Sequence, residues 1–127
     1  MPTKRVTLDT VMPIEKAYPI LLDLCKELSK GKEWKNFFNI RDNFLKSGNW
    51  WVQSKNNDRH VIKLWFKRYD TNTIYVTASL SPLKSGGTIA IIDAKVIALL
   101  DLFGKRAIPL EIITSKFCER FELAEKE

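Results

Sequence analysis

Few residues in this chain have types and spacing that could do chemistry. They are one histidine, His60; two cysteines, Cys25 and Cys118; a Gly86-Gly87-Thr88 step; and a run that sets Trp65 between Lys63 and Lys67. His60 stands at the start of an expected strand beside Asp58 and Arg59, a position from which an imidazole could act as a general base. Nucleophilic catalysis also requires a positioned Ser or Cys and a third group to orient the base, and the local sequence supplies no such signature. A structural or simply exposed His60 is the preferred reading, and no catalytic residue is assigned. Cys25 and Cys118 both fall within amphipathic helical patterns, which reads as two buried thiols rather than a disulfide framework. A closed zinc site needs four ligands, and a single histidine with two cysteines falls short. No metal and no cofactor are expected.

Gly86 and Gly87 before Thr88 suggest a phosphate cradle only superficially. A P-loop needs the longer Gly-x-x-x-x-Gly-Lys-Ser/Thr pattern leading into a helix, whereas here a β-branched, strand-like run follows. Glycines at a hairpin turn are the better account. The chain has four tryptophans, and because Trp50 and Trp51 are adjacent, strand alternation sends one inward and the other outward. An outward tryptophan together with Lys63, Trp65 and Lys67 would form a basic, aromatic face of the kind that stacks bases and contacts phosphates. The ordinary alternative is that Trp65 covers the aliphatic stems of its lysine neighbours or an amphipathic helix.

These residues must be carried by elements, and the hydrophobic spacing outlines them. Residues 4–12 alternate, with Val6 and Leu8 on one side and Arg5, Thr7 and Asp9 on the other, as in a half-buried strand. Pro13 then opens a helix whose apolar stripe is Ile14, Ala17, Tyr18, Leu21, Leu22, Cys25 and Leu28. Pro19 lies inside that helix without an N–H to bond to Glu15, so a kink or a restart is expected there. After a Ser-Lys-Gly-Lys turn, Trp34, Phe37, Phe38 and Ile40 predict a second short helix. Extended runs follow, first over residues 45–54 and then over residues 59–69, where Ile62, Leu64 and Phe66 oppose Lys63 and Lys67. Lys55 to Asp58 is the expected turn between them. Ile74, Val76, Ala78 and Leu80 alternate with Tyr75, Thr77 and Ser79 on the next strand. Residues 81–87 form a loop into residues 88–96, a strand apolar on both faces except at Asp93 and Lys95, and therefore expected to be covered on both sides. The run from Ile97 to Phe103 could prolong the strand or begin a helix. Pro109 then precedes a closing helix marked by Leu110, Ile113, Phe117 and Phe121, with Glu111, Lys116, Glu119, Arg120 and Glu122 largely off that stripe.

Composition bounds the class. With 127 residues, 45% of them hydrophobic and 28% charged, the chain is long enough to bury a core and too apolar to remain unfolded. One domain over residues 1–127 is expected, with no repeat or linker. Neither a secretory signal order nor an apolar stretch of about 20 residues is present, so the expected compartment is the cytoplasm. The net charge of +6, from 21 Lys and Arg against 15 Asp and Glu, favours anionic partners without specifying one. Its densest local group is Lys26, Lys30, Lys32 and Lys35, most simply a solvated helix end.

The order of elements is a strand, one or two helices, several hairpin-linked strands and a long closing helix. Turns too short for crossover helices favour an α+β fold over a parallel doubly wound sheet: a curved antiparallel β-sheet packed on a long C-terminal α-helix. Two stretches carry a family resemblance. Residues 6–24, VTLDTVMPIEKAYPILLDL, are similar to the opening strand and Pro-led helix of the helix-grip superfamily, which includes START lipid-transfer domains, birch-pollen-allergen-like proteins and polyketide cyclase/dehydrase-like proteins. Residues 75–96, YVTASLSPLKSGGTIAIIDAKV, resemble its late hairpin, where a Gly-Gly-Thr step starts the strand before the C-terminal helix. The resemblance covers most of the chain by element order and few residues by identity. The chain departs from it in its short length, in Pro19 and in a briefer closing helix. What the resemblance implies is ligand binding between helix and sheet, with no shared catalytic residue to carry over.

Three functional expectations follow. The first is a binding module for a hydrophobic small molecule such as an acyl, isoprenoid or polyketide-like compound. Its cavity would be walled by Ile62, Leu64, Phe66, Val76, Ala78, Leu80, Ile113, Phe117 and Phe121, with the small Ala78, Ala90 and Ala94 leaving room. The second is a nucleic-acid-associated protein using Lys63, Trp65 and Lys67 with Lys30, Lys32 and Lys35. The third is a homodimer joined through an exposed tryptophan and a strand edge, the alternative being a monomer.

Overall fold

Alternating residues in the middle of the chain build five strands, and a computed structural model shows how they assemble. The structure describes residues 3–97 and 107–126. Strands β1 (Thr3–Thr10), β2 (Gly48–Asn56), β3 (Val61–Arg68), β4 (Thr71–Pro82) and β5 (Thr88–Val96) form one antiparallel sheet in the order β1-β5-β4-β3-β2. Consecutive strands β2 to β5 are neighbours because their connections are hairpins, while β1 closes the sheet beside β5 along the full pairing from Thr3↔Lys95 to Thr10↔Thr88. Helices α1 (Ile14–Leu28), α2 (Glu33–Phe37), α3 (Asn43–Lys46) and α4 (Ala107–Glu125) complete the α+β fold.

Register decides which side chains share the interior. Cross-strand partners line up as Trp50, Phe66, Ile74 and Val96, then Val52, Leu64, Val76 and Ala94, then Ile62, Ala78, Ile92 and Val6. All of these except the half-buried Val52 and Val6 are buried, and they form one cluster with the helices laid over them. The α4 helix packs on β1, β5 and α1, while α1 covers β4 and β2 and α3 packs on β2. Leu110, Ile113, Phe117 and Phe121 are each 1% exposed, so the stripe read from the sequence is the buried face of α4.

Several local expectations are corrected. The α1 helix runs as one element through Pro19, with Pro13 as its N-cap residue rather than its first helical one. Pro19 and Glu15 are both exposed, so the carbonyl that the proline leaves without a partner lies on the solvent side. Residues 43–46 are helical rather than extended, because the Asp42 carboxylate accepts the Leu45 N–H at 2.9 Å and caps a short turn. His60 lies in the β2–β3 turn at φ 58° rather than in a strand. The β4 strand is longer than expected at both ends, leaving a turn in which Leu83 donates to the Gly87 carbonyl at 2.8 Å and Gly86 adopts φ 94°. The β5 strand is buried on one face only; Ile89, Ile91 and Asp93 are half-buried and Lys95 is exposed. Ile97 follows β5 outside any helix or strand, and residues 98–103 of the open run lie outside the described residues. Among the described residues, no helix is long and apolar enough to cross a membrane.

Candidate functional site

Backbone geometry after α2 shapes a groove beside α4. Asn39 takes φ 52°, reversing the chain after Phe38, and the Ile40 N–H closes onto the Lys35 carbonyl at 3.0 Å. Residues 39–42 are thereby held against α4. A groove of about 450 Å3 separates them from Glu111, Ile112, Ser115, Lys116 and Glu119. Its two apolar linings, Ile40 and Ile112, both join the hydrophobic core, and its rim is charged. Glu111, Ser115 and Glu119 fall four residues apart and so share one side of α4, next to the buried stripe.

The nine side chains expected to wall a cavity do come together. Ile62, Leu64, Phe66, Val76, Ala78 and Leu80 on the sheet and Ile113, Phe117 and Phe121 on α4 are each at most 2% exposed within a single core. Ala90 and Ala94 lie on the same face, at 0% and 2% exposure. The remaining space toward β2 is filled by Trp34, Phe38, Phe44 and Trp50, all buried.

The lysine groups expected to act together are separated. Lys63, Trp65 and Lys67 lie on the outer face of the sheet, where the pairing Trp51↔Trp65↔Tyr75 sets three aromatics in one cross-strand row. Lys30, Lys32 and Lys35 belong instead to the helical layer that covers the inner face. There Lys32 and Lys35 meet Arg41 and Lys46, residues the sequence reading left out, around a second groove of about 740 Å3 with Asn36, Asn39 and Ile40. The sequence signal for that grouping was slight: Asp42 as the cap of α3, which returns the chain past α2.

His60 has a structural setting. Its ring lies edge-on to Tyr18, with centroids 4.8 Å apart, and its carbonyl accepts from the Leu80 N–H at 3.0 Å. The Tyr18 hydroxyl donates to Asn57 Oδ1 at 2.6 Å, so this turn is docked onto α1. Both cysteines are free thiols, Cys25 buried and Cys118 only half-buried, which corrects the expectation of two buried ones. Burial drives the Cys25 pKa from 9.0 up to about 12, and burial together with Glu122 and Glu119 raises that of Cys118. Neither is activated as a nucleophile.

No family model matches the sequence, and no curated protein does either. The fold is nonetheless shared by solved structures. A conserved protein from Geobacillus kaustophilus matches with a TM-score of 0.62 at 15% identity, covering 98% of this chain and 95% of its own. Ara h 8.0201 matches at 0.59 and 7% identity, over 98% and 97% of the two chains. A START superfamily protein from Mycobacterium smegmatis matches at 0.51 and 14%, over 98% and 94%. Full-length agreement at so little identity rests on element order and packing. This chain has the helix-grip fold of START and Bet v 1-like proteins.

Proposed function

Starting from that helix-grip architecture, we propose that the chain is a binding module for a hydrophobic small molecule, held between the sheet and α4 and admitted through the groove beside residues 39–42. The observation that carries this reading is the groove itself. Its volume of about 450 Å3 lies in the range of small-ligand sites, and its apolar floor, Ile40 and Ile112, is continuous with the core. The rim of Arg41, Asp42, Glu111, Lys116 and Glu119 provides the few polar groups that orient a mostly apolar ligand. In this reading Ile113 and Phe117 on α4 and Leu64, Phe66 and Val76 on the sheet are the wall that an inserted chain would touch.

The test uses an uncharged fluorescent probe, 1-aminoanthracene, displaced by 1-decanol. Ser115 is exposed on the groove side of α4, so Ser115→Trp fills the groove without entering the core. The probe should brighten with the wild-type protein and fail to brighten with Ser115→Trp, while the melting temperature stays the same. Brightening that survives the substitution puts the probe elsewhere and overturns the reading.

A further inference from the structure

Four cations converge where no carboxylate opposes them. Lys32, Lys35, Arg41 and Lys46 line the 740 Å3 groove with Asn36 and Asn39, and no acidic side chain contributes to its lining. Among the described residues the ion pairs are Arg5 with Asp93 and Lys116 with Glu119, so none of these four cations is neutralised by a partner. Two carboxylates adjoin these cations in sequence: Glu33 lines a separate groove with Trp34 and Phe37, and Asp42 lines the neighbouring groove and is occupied in capping α3. The arrangement is also held in place. The Lys35 ammonium donates to the Lys46 carbonyl, tying α2 to the end of α3, and the backbone bonds Asn39 N to Asn36 O at 3.2 Å and Ile40 N to Lys35 O fix the bend between them. Cations that line one groove share its field, and the charge of Lys32 is felt at Lys35. The Lys35 pKa is lowered, by partial burial first and by the charge of Lys32 second, as expected of a positive site that lacks its counter-ion.

The basic groove and the groove along α4 share Asn39, Ile40 and Arg41. From this junction we infer that the basic groove binds the phosphate or carboxylate head of an anionic amphiphile whose apolar chain occupies the groove beside α4. This inference rests on the ligand-binding reading above and specifies its chemical class. Arg41, lining both grooves, is suited to the task, because a guanidinium presents a planar fork that matches phosphate and carboxylate oxygens while its stem covers apolar surface. The lysines act as point charges around it, and the amides of Asn36 and Asn39 add neutral donors.

Decyl phosphate, decanoate and 1-decanol, compared by calorimetric titration at low salt, separate head from chain. Decyl phosphate and decanoate should each bind at least about ten-fold tighter than 1-decanol, the effect of one charge-assisted hydrogen bond. Lys32→Gln with Lys46→Gln, both at exposed positions that line the basic groove and not the groove beside α4, should cut that preference several-fold, leave 1-decanol affinity and melting temperature unchanged, and be matched by no effect from Lys84→Gln in the β4–β5 turn. Equal affinity for charged and uncharged chains, or a preference left undiminished by the double substitution, overturns the anion site and leaves the hydrophobic reading standing. Inorganic phosphate alone, followed through the amide resonances of residues 36–41, gives the reverse separation. If it shifts those resonances while no decyl compound binds, the anion site stands for a free phosphate and the hydrophobic reading falls. If no probe binds there, both fall.

Discussion

Trp34 meets Trp50 edge to face, with ring centroids 6.3 Å apart and planes at 88°. Trp50 in turn lies 5.2 Å from Phe66, and Phe66 lies 5.5 Å from Phe44, so an aromatic chain pins the five-residue α2 and the four-residue α3 to the β2–β3 end of the sheet. Helices this short have little stability of their own, and their seating depends on these rings. Trp34 is fully buried, so Trp34→Ala should lower the unfolding free energy by about 3–5 kcal/mol in urea titrations. Among the described residues, the indole N–H groups of Trp34 and Trp50 have no hydrogen-bond partner. Trp34→Phe, which keeps most of the ring and removes one such N–H, should therefore cost much less. A loss as large for Phe as for Ala would mean the indole N–H has an acceptor that matters.

Pro19 offers a gain instead. It sits at the sixth position of α1, exposed, where any other residue would donate an N–H to the Glu15 carbonyl. Pro19→Ala should restore that bond and raise stability by up to about 3 kcal/mol. Thermal melts decide the matter: an unchanged or lower melting temperature would show that α1 bends at this position in a way its packing on β4 requires.

The parts of this structure that were legible in the sequence are those governed by period. Alternation placed Ile62, Leu64 and Phe66 opposite Lys63 and Lys67, and three- and four-residue steps placed Leu110, Ile113, Phe117 and Phe121 on one buried face. The antiparallel α+β class followed from the short connections, and the helix-grip order from the family resemblance of residues 6–24 and 75–96. What period cannot convey is where separate elements meet. The Lys32, Lys35, Arg41 and Lys46 groove depends on a left-handed Asn39 and on the Asp42 cap, two single-residue features that turn the chain back on itself. The groove beside α4 joins residues about 70 positions apart, and no local pattern encodes that distance. That α1 does not restart at Pro19 has a physical origin too: a lost hydrogen bond breaks a helix only when the tertiary contacts of the buried face are too weak to hold it.

Cys25 ties stability to alkaline pH. Its thiol is 2% exposed and its pKa is pushed from 9.0 up to about 12, chiefly by burial, with Lys55 pulling weakly the other way. Because the folded state holds this proton more tightly than the unfolded chain, the contribution is complete below pH 9. It declines as pH rises toward 12, by up to about 1.4 kcal/mol per pH unit. Tyr18, whose pKa is raised by burial and by Cys25, acts in the same direction. Urea unfolding at pH 8, 9.5 and 10.5 should show a steep loss for the wild-type protein and a shallower one for Cys25→Ala, slopes being compared because the substitution also removes core volume. Parallel slopes would show that the thiol ionises as readily in the fold as out of it.

The outer face of the sheet is where nucleic acid would bind, and its rings are already engaged. Trp65 packs on Tyr75 with centroids 4.6 Å apart and planes at 31°, and its indole donates to Gln53 at 2.8 Å. Trp51, 39% exposed, donates to Asn72 at 2.9 Å. These contacts leave Lys63 and Lys67 as the free elements of the face, and charge alone gives binding that collapses with salt. Any affinity for an oligothymidylate should therefore fall steeply between low and physiological salt and drop further in Lys63→Ala with Lys67→Ala, at unchanged melting temperature. Trp51→Ala should leave it unaltered. Base stacking on these rings would instead make Trp51→Ala or Trp65→Ala lose about 1–3 kcal/mol of binding. A loss of that size, persisting at high salt, would favour a nucleic-acid function over the amphiphile reading, because it would require the Trp65–Tyr75 contact to open for a base.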